Sequence, residues 1–163
     1  MKRYILGILV IFITFGCTAQ SKYTKVERPD FYFVQDKKGT KFGFDDSNEI
    51  LIESLGDPAK SIKTVAQNPK WTIWNFVWPG LKIETFAGNK AINFIEITGK
   101  DFSSMRGIKI GDEAAKIVKK YGEPDVNVNN VLEYVLPTED SVWGLDFFIK
   151  QDRVEKMVIG REN

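Results

Sequence analysis

Two stretches of the chain repeat one pattern of hydrophobic and polar positions. The clearer copy, residues 106–125, reads RGIKIGDEAAKIVKKYGEPD. Its apolar side chains follow the i, i+3, i+4, i+7 spacing of one helix face: Ala114, Ile117, Val118 and Tyr121. Asp112 is a candidate N-cap in front of them, and Gly122 and Pro124 are suited to end the helix behind them. The pattern predicts a short strand, a capped helix and an abrupt stop.

A weaker copy, KFGFDDSNEILIESLGDP, occupies residues 41–58. It aligns without a gap when Gly56 is placed on Gly122. Asp46 and Glu49 have the spacing of a capping box. The apolar helix face is then formed by Leu51, Ile52 and Leu55.

Each copy is followed by three β-rich segments. The pairs are 74–79 with 132–137, 79–86 with 143–150, and 91–98 with 153–160. Two-residue hairpin turns are expected at Gly88-Asn89 and Gln151-Asp152. The chain is therefore predicted to be α+β, with two tandem repeats (30–104 and 105–163), each a helix packed on an antiparallel sheet of about three strands.

Three further segments complete this prediction. The spacing of Ala59, Ile62, Val65 and Ala66 indicates a second short helix in the first repeat. The corresponding VNVNN, residues 126–130, indicates a loop. FYFVQ, residues 31–35, indicates an extra strand or a packed lead-in.

The first residues have the organisation of a signal peptide. Lys2 and Arg3 precede an apolar run of about a dozen residues, which is short for a membrane span of roughly 20. Cys17 follows a small residue, as in the bacterial lipobox. We expect residues 1–16 to be cleaved, Cys17 to be lipidated and palmitate to hold the chain on a membrane, with residues 17–29 as a polar tether. Ordinary secretion and an uncleaved anchor are the alternatives.

The composition limits the catalytic and binding functions that the chain could have. The 163 residues contain one Cys and no His, so the chain has no intramolecular disulfide and lacks the commonest general base. Removal of Lys2 and Arg3 leaves 21 basic against 22 acidic side chains, which predicts neither nucleic-acid binding nor a strongly acidic field for cationic partners. The acid pairs Asp45-Asp46 and Glu139-Asp140 are interpreted as a helix start and a solvated loop. We predict no catalytic residue, metal or cofactor.

These motifs resemble the β-lactamase-inhibitor-protein-like superfamily, which includes small outer-membrane lipoproteins of the SmpA/OmlA type. The residues that carry the resemblance are Gly111-Asp112, Val118, Tyr121-Gly122-x-Pro124, Tyr134 and Gly144-Leu145-x-Phe147. The resemblance covers roughly residues 40–160 and departs from the family at Asp45, where the second repeat has Gly111. It implies helices on one face of an antiparallel sheet, an open opposite face, and no shared active site.

The alternation within the middle strands suggests which residues bind a partner. Leu81, Ile83, Thr85 and Leu145, Phe147, Ile149 are expected to face the helices. The other face mixes charged and aromatic side chains: Lys82, Glu84, Phe86, Asp146, Phe148 and Lys150. Trp74 and Trp78 are further candidates. The alternative readings are a merely solvated sheet face and tryptophans that pack in the core.

The sequence thus predicts a lipid-anchored, non-catalytic protein-binding module of the bacterial cell envelope, in the periplasm at the outer membrane. Its partner would be an envelope or secreted protein, and its role an assembly accessory or an inhibitor. The alternative is a small-ligand or glycan binder that uses Trp74, Trp78 and Trp143, and an enzyme ranks third.

Overall fold

The structure, a computed structural model, describes residues 26–65, 72–86 and 91–162. The helices are a 3₁₀ helix (Arg28–Phe31), α1 (Asn48–Leu55) and α2 (Ala114–Tyr121). The strands are β1 (Tyr32–Gln35), β2 (Thr40–Gly43), β3 (Lys60–Thr64), β4 (Ile73–Trp78), β5 (Leu81–Phe86), β6 (Ile92–Ile97), β7 (Phe102–Ser104), β8 (Val126–Val128), β9 (Val131–Pro137), β10 (Val142–Lys150) and β11 (Arg153–Glu162).

Eight strands form one sheet in the order β3-β4-β5-β6-β11-β10-β9-β8, and a small second sheet has the order β2-β1-β7. The paired strands in both sheets are antiparallel. The predicted α+β class is therefore confirmed. Within the described ranges, no helix has the length and apolar character needed to cross a membrane.

The order of the large sheet reads the same from either edge. Strands β3 to β6 follow the first helix, strands β8 to β11 follow the second, and β6 pairs with β11 at the centre. At the outer edges, Lys60 lies opposite Val77 and Val126 lies opposite Glu133. The register also shifts at the same place in both hairpins, between Glu84/Thr85 and between Phe148/Ile149.

Both α-helices end in the same way. Gly56 and Gly122 each have φ of 86°, and each donates its amide to the helix carbonyl four residues earlier at 2.8 Å. Such a left-handed residue is the favoured place for glycine, and both predicted stops are confirmed. The Trp78 indole donates to the Gly56 carbonyl at 2.9 Å, and the Tyr134 hydroxyl donates to the Gly122 carbonyl at 2.8 Å. Trp78 and Tyr134 thus make the same kind of contact at the two helix ends, whereas the alignment of the two sequence copies pairs Trp78 with Leu136.

The helix starts differ from the prediction by one residue. Ser47 is the N-cap of α1 and accepts a hydrogen bond from the N3 amide, whereas Glu113 precedes α2 without a side-chain cap. Asp46 and Asp112 instead each accept a hydrogen bond from the backbone amide three residues earlier, at 2.8 Å in both turns. The two aspartates stabilise the turn that leads into each helix rather than the first helical turn.

The predicted second helix of the first repeat is wrong. Residues 60–64 form β3, which pairs with β4, and Ala66 lies outside the described residues. All five side chains of β3 are exposed, so no buried face imposed a two-residue period on its sequence. The helical spacing around Ile62 therefore arose by chance and not from a buried helix face.

The predicted loop at residues 126–130 is also wrong in part. Val126–Val128 is strand β8, and Asn129 and Asn130 form its turn to β9 with φ of 53° and 62°. Asn tolerates this left-handed conformation, which makes a tight two-residue hairpin. Each helix is thus followed by four strands rather than about three. The predicted turn at Gln151-Asp152 is observed with φ of 51° and 60°, whereas Gly88-Asn89 lies outside the described residues.

The lead-in is part of the folded domain. Strand β1 is confirmed, and the 3₁₀ helix before it buries Phe31 completely. Val26, within the stretch predicted as a tether, is only 8% exposed and belongs to the core. The Arg106 guanidinium pairs with the buried Asp30 carboxylate, with Nε and Oδ1 2.7 Å apart, and so fixes the 3₁₀ helix to the loop before α2.

Candidate functional site

The two faces of the large sheet have different environments. The core face contributes fully buried residues such as Ile83, Leu145 and Phe147, which pack in the cluster that contains the helices. On the opposite face, which we call the open face, Val158 and Val135 are 4% and 5% exposed but do not belong to that cluster.

One row of the open face crosses all eight strands. The pairing registers place its residues side by side in the order Lys60, Val77, Lys82, Glu96, Val158, Asp146, Glu133 and Val126. Six of these eight side chains are only partly exposed or buried. The row therefore forms a continuous surface rather than scattered side chains.

Two lysines and two phenylalanines organise the centre of the open face. The ammonium groups of Lys82 and Lys156 each contact one carboxylate and one ring face, as is typical of cation–π pairs. The contacts are Lys82 with Glu84 at 2.6 Å and with the Phe94 ring at 5.6 Å, and Lys156 with Glu96 at 3.3 Å and with the Phe148 ring at 4.1 Å. Charge and aromatic surface are thus held in a fixed arrangement.

The open face brings together most of the predicted binding residues. Lys82, Glu84, Phe86, Asp146 and Phe148 are partly exposed there. Lys150 is exposed beside the β10–β11 turn, where it pairs with Glu155 at 2.9 Å.

The prediction omitted the residues that β6 and β11 place on this face: Phe94, Glu96, Lys156 and Val158. The same alternation in residues 91–98 and 153–160 could have identified them, once β6 and β11 were known to be neighbours.

The two predicted tryptophans lie on the core face. Trp78 is 8% exposed and donates a hydrogen bond to the Gly56 carbonyl, so it packs as a core residue. Trp74 is partly exposed at the rim of the core, where its ring stacks on Phe76 with centroids 6.1 Å apart and lies 5.6 Å from the Lys63 ammonium. Trp78 is therefore buried, as the core alternative expected, whereas Trp74 remains partly exposed.

A cleft of about 850 Å³ lies at the end of the sheet where the β9–β10 hairpin meets the start of β6. Trp143 and Phe44 form part of its wall, with ring centroids 4.8 Å apart. Polar side chains on its lining include Arg28, Asp45, Asn93, Glu139, Asp140 and Arg161. Trp143 itself is only 7% exposed.

Charge is distributed unevenly over the large sheet. Residues 121–149, which include β8, β9 and most of β10, contain no Lys or Arg but six carboxylates: Glu123, Asp125, Glu133, Glu139, Asp140 and Asp146. The corresponding residues 55–85 contain four lysines and two carboxylates. The near-neutral total charge is therefore not spread evenly along the sequence.

The acid pair Asp45-Asp46 has a structural role. The Arg28 guanidinium binds Asp45 with two hydrogen bonds, of 2.5 and 2.7 Å, and holds the pKa of this carboxyl below its ordinary value. Burial raises the pKa of Asp46, and the Asp45 charge adds to this. In the described part of the chain, no group of three or more Asp, Glu, Cys or His side chains could hold a metal ion.

Comparisons with known proteins give two distant structural similarities. No protein-family model matches the chain, and no curated protein matches it. A DUF4309 family protein from Bacillus subtilis has a TM-score of 0.42 and 15% identity over 72% of this chain and 79% of its own. A candidate beta-lactamase inhibitor protein from Streptococcus mutans has a TM-score of 0.32 and 22% identity over 82% of this chain and 91% of its own.

Proposed function

We propose that the chain is a tandem duplication of one unit, a helix followed by a four-stranded sheet. The mirrored strand order, the equal registers at both edges and the two glycine-closed helices support this proposal. The isolated bridges Ser47–Ala91 and Glu113–Arg153 also occupy corresponding positions at the start of each helix. Independent units would have no reason to share these details.

We further propose that the protein is a non-catalytic protein-binding module that acts through the open face. The observation that carries this proposal is the centre of that face, where ordered aromatic rings, paired lysines and carboxylates surround buried valines. A hydrophobic centre with a polar rim is typical of protein interfaces. An envelope assembly accessory and an inhibitor of a secreted enzyme are the two roles that fit such a surface.

The proposed location is the bacterial cell envelope, at the outer membrane. Its support is the sequence before the folded domain: a charged start, an apolar run of about a dozen residues and Cys17. Mass measurement of the N-terminus of the native protein tests it. Diacyl or triacyl modification of Cys17 is expected, and an unmodified Cys17 would end the anchor proposal.

Crosslinking in native membranes tests the binding role. We expect a protein partner to crosslink to the full chain and to be lost when Phe94 and Phe148 are both replaced by Ala. Ile50→Ala is the matched control, because Ile50 is a large apolar side chain, 51% exposed, on α1 rather than on the sheet. Recovery of lipid alone, or equal partner loss in the control, would contradict the proposal.

A second candidate function, small-ligand or glycan binding, is favoured by one observation. The cleft beside Trp143 has a volume within the usual range of ligand sites, about 300–1,000 Å³, and combines aromatic walls with hydrogen-bonding side chains. Titration of the full chain with neutral oligosaccharides, followed by tryptophan fluorescence, tests this candidate. A saturable change that Arg161→Ala abolishes would support it, and a flat response would dismiss it.

A further inference from the structure

The chain enters the folded domain beside the C-terminal end of α2. The Glu27 amide donates a hydrogen bond to Asp30 Oδ2 at 3.0 Å, and Arg106 Nε donates to Asp30 Oδ1 at 2.7 Å. Arg106 Nη1 also donates to the Lys120 carbonyl at 3.0 Å. These consecutive hydrogen bonds connect the first residues of the domain with the last turn of α2.

This end of α2 presents two lysines to solvent. Lys119 and Lys120 are exposed, and neither forms an ion pair with any residue that the structure describes. At the corresponding positions α1 has Glu53 and Ser54, with no basic residue in its last turn, and it is closed by the same glycine geometry. The lysines are therefore not needed to end a helix of this kind.

The proposed anchor is close to this surface along the chain. Val26 is 8% exposed and packs in the core, so only residues 18–25 separate Cys17 from the folded domain. Nine Cα–Cα steps span about 30 Å when fully extended, and this is the upper limit of the separation. A lipid on Cys17 would therefore keep the last turn of α2 near the membrane surface.

The charge beside the anchor is positive. Residues 18–25 contain Lys22 and Lys25 and no acidic side chain, and Lys119 and Lys120 add two further cations. The exposed carboxylates that flank these segments in the sequence are Glu27 and Glu123. Four cations against two anions leave an excess of two positive charges. Lysines next to a membrane that contains anionic lipids strengthen its attraction for the protein.

We infer that the C-terminal end of α2 docks on the anionic surface of the membrane that holds Cys17, with Lys119 and Lys120 against the phosphates of the lipid headgroups. This inference rests on the proposed lipid anchor and adds the orientation of the domain. Ile117 and Tyr121 fix α2 in the core, on the side of the large sheet opposite the open face. Docking through α2 therefore leaves the open face accessible to a protein partner.

Reconstitution of the native lipoprotein tests the inference. One new cysteine carries a dye, either Ala115→Cys, an exposed position about 7 Å along α2 from the two lysines, or Ser61→Cys, exposed on β3. Energy transfer from the dye to an acceptor lipid is compared between vesicles of phosphatidylcholine alone and vesicles of equal parts phosphatidylcholine and phosphatidylglycerol. Cys17 does not react with the dye when its thiol is acylated.

The two dye positions are far apart on the domain. Tyr121 contacts Tyr134 in β9, with ring centroids 5.1 Å apart, and β3 is six strands from β9, or about 30 Å along the sheet. We expect phosphatidylglycerol to increase energy transfer from residue 115 more than from residue 61. The increase should disappear at about 1 M salt, where the Debye length is about 3 Å.

A charge reversal identifies the lysines that make the contact. Lys119→Glu combined with Lys120→Glu should lower the ratio of docked to undocked protein by about tenfold or more, because anionic lipids attract lysine and repel glutamate. Lys60→Glu combined with Lys63→Glu is the matched control, which makes the same change in net charge on β3. It should stay within about twofold of wild type, because its charges are remote from α2. Equal losses in the two variants would show general charge attraction and overturn the inference.

The mass of the N-terminus separates this inference from the anchor on which it rests. An acylated Cys17 together with a phosphatidylglycerol-dependent signal from residue 115 supports both. An acylated Cys17 with equal energy transfer from residues 115 and 61, or with no effect of phosphatidylglycerol, overturns the docking and leaves the anchor intact. An unmodified Cys17 overturns both proposals.

Discussion

The two halves of the large sheet share a mirrored strand order but differ in charge and in the turns that join their strands. In the first half, β4 and β5 are joined by the two residues Pro79 and Gly80, and β3 is a basic edge. In the second half, β9 and β10 are joined by residues 138–141, and β8 is an edge without cations. The backbone pattern is therefore maintained while the surface varies.

The close turn of the first half has a specific cause. Gly80 lies against Gly99, and a Cβ on Gly80 would be 2.3 Å from the Gly99 Cα. Gly80 also has φ of 72°. The longer hairpin of the second half borders the cleft at Trp143.

The largest expected effect is a difference in stability between a substitution on the core face and one on the open face of the large sheet. Phe147 is fully buried, whereas Phe148, the next residue, is partly exposed on the other side. Phe147→Ala should lower the free energy of unfolding by about 3–5 kcal/mol, because it removes a core side chain and leaves a cavity. Phe148→Ala should cost about 1 kcal/mol or less. Urea denaturation of both variants measures this, and similar losses would contradict the assignment of the faces.

The next largest loss of stability is expected for a glycine substitution in the close turn between β4 and β5, and a smaller one for glycine substitutions at the two helix ends. Gly80→Ala should destabilise the protein by about 2–4 kcal/mol, since the new methyl group meets backbone atoms and the φ is positive. Gly56→Ala and Gly122→Ala should each cost about 1–2 kcal/mol, because the same φ of 86° is strained but nothing lies within 4 Å.

Thermal unfolding of the three variants measures these losses of stability. Equal effects at Gly56 and Gly122 would support the duplication. A clear difference between those two variants would count against equivalent helix ends, whatever the result at Gly80.

A smaller effect concerns the hydrogen bonds that tie β4 and β9 to the helix ends. Tyr134→Phe removes the donor to the Gly122 carbonyl and should cost about 1 kcal/mol. It should also speed hydrogen exchange in the last turn of α2 more than in α1. Trp78→Phe is expected to show the reverse preference, with a larger loss of stability because it also removes buried ring area. Uniform exchange throughout both helices would contradict this coupling.

The smallest effect is the pH dependence of two corresponding aspartates. Burial raises the pKa of Asp46, with a contribution from the adjacent Asp45. Burial alone would also raise the pKa of Asp112, but hydrogen bonds from Lys116, 2.7 Å away, and from the Lys109 amide lower it overall.

The stability that Asp112 contributes should therefore be lost as pH falls through its folded pKa, and that of Asp46 as pH rises through its folded pKa. Titration of the two carboxyl groups by NMR checks the order. Asp46→Asn and Asp112→Asn should change the slope of stability against pH with opposite signs between about pH 3 and 5.

Much of the fold could be predicted from buried positions. The helical spacing around Ile117 and the glycine stops identified α2, and the alternation in residues 81–86 and 143–150 identified the strands and their faces. These signals exist because one side of each element is buried. Every residue of strands β3 and β8 is exposed, so neither strand has a buried side, and their structure depends on pairing with β4 and β9.

Only part of the candidate site could be predicted, because its other residues depend on pairing between strands that are far apart in the sequence. Alternation identified Lys82 and Phe148 on the open face, but the pairing of β6 with β11 joins segments about 60 residues apart. No local pattern shows that Glu96 will lie beside Lys156. The environment of the tryptophans could not be predicted either, because a large aromatic side chain fits a core and an interface equally well until its neighbours are known.

The pairing of β6 with β11 also affects how the chain can fold during synthesis. Strand β6 is complete once residue 97 has emerged, but its partner is the last described strand to be made. Until then Ile92, Ile95 and Ile97 belong to a strand with an unpaired edge. Chaperones that shield extended apolar segments would find their target in this interval, and a truncation before Arg153 would make the interval permanent.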